Sequence, residues 1–151
     1  MTSGSIWATI LALACLAAAG MDIGLRRIPN WLCAATLIAG VGFASHTGGL
    51  SALALHSAHA AIALVIGMVL FATGAIGGGD AKFYAAAAMW FTLADAPRLL
   101  MAISLTGFVS VLVWIAARRL QGRPWRKGNG DPFASFPYGL AIGLGALAAF
   151  V

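Results

Sequence analysis

Apolar positions fall into six blocks along this chain: 6–21, 31–45, 50–75, 77–94, 98–117 and 135–151. Each lies near the roughly 20 residues that carry a helix across a bilayer. The breaks between them hold turn chemistry: RRIPN, HTGG, GGGD, DAPR and RRLQGRPWRKGNGDP. Pro29, Pro97 and Pro137 stand near the starts of blocks, where a missing N–H costs a helix least. The pattern predicts an all-α, polytopic membrane protein of about six transmembrane helices, one membrane-embedded domain over residues 1–151. The second block is short enough to be tilted or partly re-entrant.

Composition agrees. Of 151 residues, 62% are hydrophobic and 9% charged, whereas a soluble domain is about half apolar and could not hide so much. The N-terminus lacks the basic region and small-residue cleavage site of a secretory signal, so the first block is expected to stay. Cys15 and Cys33 sit in separate apolar blocks with no metal-like spacing and read as buried, reduced thiols.

The net charge of +5 is distributed unevenly. With six crossings, one side receives Arg26, Arg27, Lys82, Arg118, Arg119, Arg123, Arg126 and Lys127, and the other only Arg98. The positive-inside rule makes the rich side cytoplasmic and puts both termini outside. Trp7, Trp31, Trp90 and Trp114 fall near block ends, as an interfacial belt would have them. The basic excess is therefore topological, with some affinity for anionic lipid, and does not indicate nucleic-acid binding.

The chain has four acidic residues: Asp22, Asp80, Asp95 and Asp131. Asp95, in the outer turn ADAPR, reads as a turn residue or cap. Asp22 closes the first block and Asp80 opens the fourth, both on the cytoplasmic side. From Lys82 to Ala94 a helix covers only about 20 Å, so the fourth crossing must begin near Gly77, which draws Asp80 inside the boundary. A carboxylate at that depth is a functional-site candidate. Simpler readings exist: Asp22 paired with Arg26, and Asp80 capping its helix or paired with Lys82. Both carboxylates at one face point instead to a pair sharing one proton, one acting as acid and the other as base. His56 and His59 are three apart on the outer half and read as packed side chains rather than metal ligands.

GGGDAK at 77–82, Asp22 followed by RRIPN at 26–30, and FPYGLAIG at 136–143 together resemble the type IV prepilin peptidases, intramembrane aspartyl proteases with a GxGD signature. The short form is similar to the peptidases of tight-adherence (Flp) pilus systems, and the match spans nearly the whole chain. The resemblance implies a catalytic pair of Asp22 and Asp80, with Gly77 and Gly79 as motif glycines and Lys82 as the basic residue that follows. Pro29, Asn30, Pro137, Tyr138 and Gly139 would be structural or substrate-positioning. It implies cleavage of a prepilin leader at the cytoplasmic face of the bacterial inner membrane, with periplasmic termini and no cofactor or metal. The partners implied are the prepilin, with its basic leader and apolar helix, the lipid bilayer and the pilus assembly machinery. Longer relatives carry a cysteine tetrad and N-methyltransferase activity between the first two crossings; here only about eight residues join them, and methylation is not expected. A second GxGD, GNGD at 128–131, lies in a basic loop, where Asp131 is expected to be hydrated. The rival readings are a small proton-coupled transporter, which would place acids near the bilayer centre and on both halves, and a scaffold subunit with inert carboxylates.

Overall fold

Each polar break ends or starts a helix by a local device. Arg26 takes a left-handed backbone (φ 53°), and its N–H bonds to the Asp22 carbonyl at 3.1 Å, closing the first helix. Pro29, extended at φ −68° and ψ 145°, precedes the second. Gly49 at φ 62° and ψ −145° turns the chain in a conformation that favours glycine. Gly77, at φ −73° and ψ 148°, precedes the third.

The computed structural model describes residues 3–122 and 136–150. Every regular element among them is helical: α1 Ser3–Leu25, α2 Asn30–Ala72, α3 Gly78–Ala88, a 3-10 turn Leu93–Asp95, α4 Ala96–Leu120 and α5 Tyr138–Phe150. The basic loop with Arg123, Arg126, Lys127 and the second GxGD aspartate, Asp131, lies outside the described residues.

α2 is two arms, 30–47 and 50–72, broken at Gly48 and Gly49. Side-chain contacts show that the second arm folds back along the first. Asn30 meets Lys82 at the start of α3 and Gly40 lies against Met89 past its end, while His56 meets Met89 and Gly67 lies against Ala81. α3 thus packs against a hairpin. α5 packs between α1 and α4 and touches α3. Successive helical runs alternate in direction. Trp7 near the chain start and Phe150 near its end both reach Trp90 at one end of the bundle, whereas Asp22, Asp80 and Tyr138 share the other.

Among the described residues, three helices are long and apolar enough to cross a bilayer: Gly4–Leu25, Asn30–Ala72 and Leu93–Leu120. α3, with 11 residues, and α5, with 13, are shorter than the roughly 20 residues of a span. Both are inner helices. α3 buries Phe83 and the alanines at 81 and 85–88, and α5 buries Gly139, Gly143 and Gly145. The outer helices turn large apolar side chains outward, as Leu105 (66% exposed) and Phe108 (63%) do on α4. Small residues bring the helices close, as lipid-embedded packing requires. A Cβ on Gly145 would stand 2.5 Å from the Ile103 Cα, and Thr106 Oγ1 donates across to the Ala141 carbonyl at 3.0 Å.

The structure corrects two expectations. The fourth block does not run as one helix from 77 to 94: α3 stops at Ala88, and the carbonyls beyond it take side-chain partners. His56 Nδ1 bonds the Met89 carbonyl at 2.9 Å and His59 Nδ1 the Phe91 carbonyl at 3.2 Å. Asp95 closes a capping box with Thr92, accepting from its N–H at 3.2 Å and from its hydroxyl. Trp90 is not part of an interfacial belt. It is 2% exposed, stacks on Phe43 at 5.4 Å and donates Nε1–H to the Thr36 carbonyl at 3.0 Å, because a buried indole needs a partner for its one donor.

Candidate active site

Asp22 lies in the last turn of α1, buried at 7% exposure. That position faces the negative end of its own helix dipole, so a carboxylate there needs another source of positive potential. α5 supplies it. The Gly139 N–H, in the first turn of α5, donates to Asp22 Oδ2 at 2.7 Å. Only a residue without a side chain permits this approach: a Cβ on Gly139 would stand 2.9 Å from Asp22 Oδ2 and 2.7 Å from Ile28 Cδ1. Pro137, buried just before α5, starts that helix where an absent N–H costs nothing.

Asp80 occupies the first turn of α3 and is half-buried. Its carboxylate folds back over the turn before the helix, so that a Cβ on Gly77 would meet Asp80 Oδ2 at 2.7 Å. Both aspartates therefore sit at the N-terminal ends of short inner helices, one covalently and one by hydrogen bond. Helix N-termini favour anions through exposed N–H groups and the dipole.

The two carboxylates line a single cavity of about 370 Å³, with Arg26, Gly77, Phe136 and Tyr138 among its walls. Ile28 is the wedge that sets the two halves against each other. It is 5% exposed, touches Gly79 on one side at 3.5 Å from a notional Cβ, and reaches Gly139 on the other. Chemically, the cavity offers two carboxylates able to hold or pass a proton, one guanidinium and an aromatic rim.

Of the residues singled out from sequence, Asp22, Asp80, Gly77 and Tyr138 come together at the cavity, and Gly139 anchors Asp22. Gly79 packs on Ile28 instead. Lys82 does not pair with Asp80; its Nζ donates to Asn30 Oδ1 at 3.1 Å on another face of α3, and Pro29 serves to start α2. Ile28 and Phe136 have no role of their own in the sequence reading, where Arg26 enters only as a partner for Asp22 and as a topological charge. The available signals were that Ile28 is the one apolar residue in RRIPN, and that Phe136 opens FPYGLAIG.

A model of the type IV leader peptidase family matches residues 9–151. The chain belongs to this family. Neither the curated proteins nor the solved structures give a match. Membership of the leader peptidase family implies a prepilin substrate, and the apolar helices imply a lipid bilayer. The matched region of the leader peptidase contains both aspartates and all the cavity residues named above.

Proposed function

We propose that this leader peptidase is an aspartyl endopeptidase that uses Asp22 and Asp80 to cut the leader from Flp-type prepilins at the cytoplasmic face of the bacterial inner membrane. The observation that carries the reading is the cavity itself. Asp22 from α1 and Asp80 from α3, far apart in sequence, line one space at the N-terminal ends of two inner helices.

In this mechanism a water between the carboxylates attacks the scissile carbonyl carbon and gives its proton to the ionised aspartate. The protonated aspartate donates to the developing oxyanion. Collapse of the tetrahedral intermediate returns that proton, breaks the C–N bond and protonates the leaving amine. The Gly139 N–H holds Asp22 Oδ2, which fixes the carboxylate at the cavity where the water would lie. Tyr138 and Phe136, at the rim, are placed to meet the substrate backbone.

Six crossings within one domain complete the proposal. It is supported by the alternating direction of the helical runs, the reversal of α2 at Gly48 and Gly49, and the placement of Arg26 and Lys82 at the aspartate end. The same end would face the cytoplasm, with both termini in the periplasm. No methyl transfer is included, because only residues 26–29 join α1 to α2.

Co-expression with a small prepilin tests the core of this reading. Asp22→Asn and Asp80→Asn should each abolish leader removal on an immunoblot, with enzyme abundance in the membrane unchanged. Asp95→Asn, which alters only the capping box, should retain nearly all activity. Processing by both Asn variants would sink the aspartyl mechanism while leaving the family membership intact.

A further inference from the structure

A second cavity, of about 550 Å³, lies on a different face of α3 from Asp80. Its floor is Lys82, Ala85 and Ala86 on one stripe of α3 with Met89 just past its end, and the two arms of α2 form its walls. The alanines keep the floor low. From Asn30 to Val41 along one wall the groove extends about 16 Å, at 1.5 Å per residue. The trough is long enough to take a hydrocarbon chain.

Its polarity is concentrated at one end. Ser57, at the far end, is turned toward the Met89 sulfur at 4.0 Å. At the near end Lys82 Nζ donates to Asn30 Oδ1 at 3.1 Å. An ammonium has three donors, so among the described residues two remain, and the Asn30 amide nitrogen adds more. The mouth is thus cationic and rich in donors, which suits an anion. Leu37 and Val41 (both 39% exposed) and Leu64 (41%) edge the groove, so it opens on the apolar surface that meets lipid. An apolar trough ending in a cationic mouth, at the bundle end that also carries Arg26, matches a molecule with an acyl chain and a negative head.

We propose that this groove binds an anionic phospholipid, with one acyl chain between the α2 arms and α3 and the phosphate held by Lys82 and Asn30. The lipid would brace the first turn of α3, two residues from Asp80, against α2. This site requires only that the protein lie in a membrane; it does not depend on the catalytic assignment.

Native mass spectrometry of the full chain, delipidated in detergent and titrated with dioleoyl phosphatidylglycerol or phosphatidylcholine, tests it. The wild type should hold one phosphatidylglycerol about fivefold more tightly than phosphatidylcholine, the worth of one lysine near an anionic headgroup. Lys82→Gln should erase that preference and Lys82→Arg keep it. Ala61→Trp and Ala34→Trp, at exposed alanines on opposite walls, should each displace the lipid, so a folding fault in one variant does not decide the result. Equal affinity for the two lipids, or full retention of phosphatidylglycerol by both Trp variants, overturns the proposal. If the Trp variants keep the lipid yet raise KM for prepilin in phosphatidylcholine nanodiscs, the groove seats the substrate and the lipid assignment is wrong.

Discussion

Gly77 and Gly79 flank the same helix start, yet their surroundings differ. A methyl on Gly77 collides with the Asp80 carboxylate, the movable end of a side chain, whereas a methyl on Gly79 meets Ile28 at the ordinary distance of 3.5 Å. The fold can absorb the first collision by turning Asp80 aside, which changes the cavity more than it changes stability. Gly77→Ala should therefore lower leader cleavage at least about tenfold with little change in Tm, since small misplacements of reacting groups are expensive in rate. Gly79→Ala should stay within about threefold of wild type. Equal loss in both variants, measured as initial cleavage rates with matched enzyme, would show that the glycines serve the substrate rather than the carboxylate. The motif letters were legible in sequence, and the unequal duties of the two glycines were not. Those duties depend on what stands opposite each Cα.

At the scale of elements, the short inner helices are decided by side chains from elsewhere. The alanine run 85–88 would extend α3 by propensity alone. Instead the Met89 and Phe91 carbonyls bond to His56 and His59, both nearly fully buried on the second arm of α2. His56→Ala should cost about 1–3 kcal/mol by leaving a buried carbonyl unsatisfied, and His59→Ala a similar amount. Thermal unfolding in detergent would measure the loss, and kcat for the surviving folded fraction should be nearly unchanged, because both histidines lie at the end of α3 remote from Asp80. A large fall in kcat at unchanged Tm would instead give these histidines a part in the chemistry. Sequence placed them away from the aspartates and read them as packed. It could not show that they terminate a helix, since the partner carbonyls lie some 32 or 33 residues away along the chain.

For the whole molecule, the six alternating runs and the charge pattern make one topological prediction. Reporter fusions after Val151 and at the Gly48–Gly49 turn should read as periplasmic, and fusions at Gln121–Gly122 as cytoplasmic. A cytoplasmic signal at Val151 would remove the six-crossing arrangement and the assignment of the aspartate end to the cytoplasm. Lipid facing the outer helices explains why large side chains within them, such as Leu105 at 66% exposed and Val65 at 64%, carry no protein contacts over most of their surface.

What the sequence by itself determined was the helical class, the breaks and the candidate aspartates. Apolar runs need no distant partner to become helices in lipid, where unsatisfied backbone is costly and local hydrogen bonds are the remedy. Proline and glycine act within a residue or two of their own position, so the start of α2 after Pro29 and its break at Gly48 and Gly49 were also readable. Only the tertiary structure decided that α3 is short, that Trp90 is buried, that Lys82 answers to Asn30, and that Gly139 and Ile28 hold Asp22 beside the cavity it shares with Asp80. Each of those is a contact between helices, fixed by which small residues let two backbones approach, and no local pattern of apolar and polar letters encodes which face meets which.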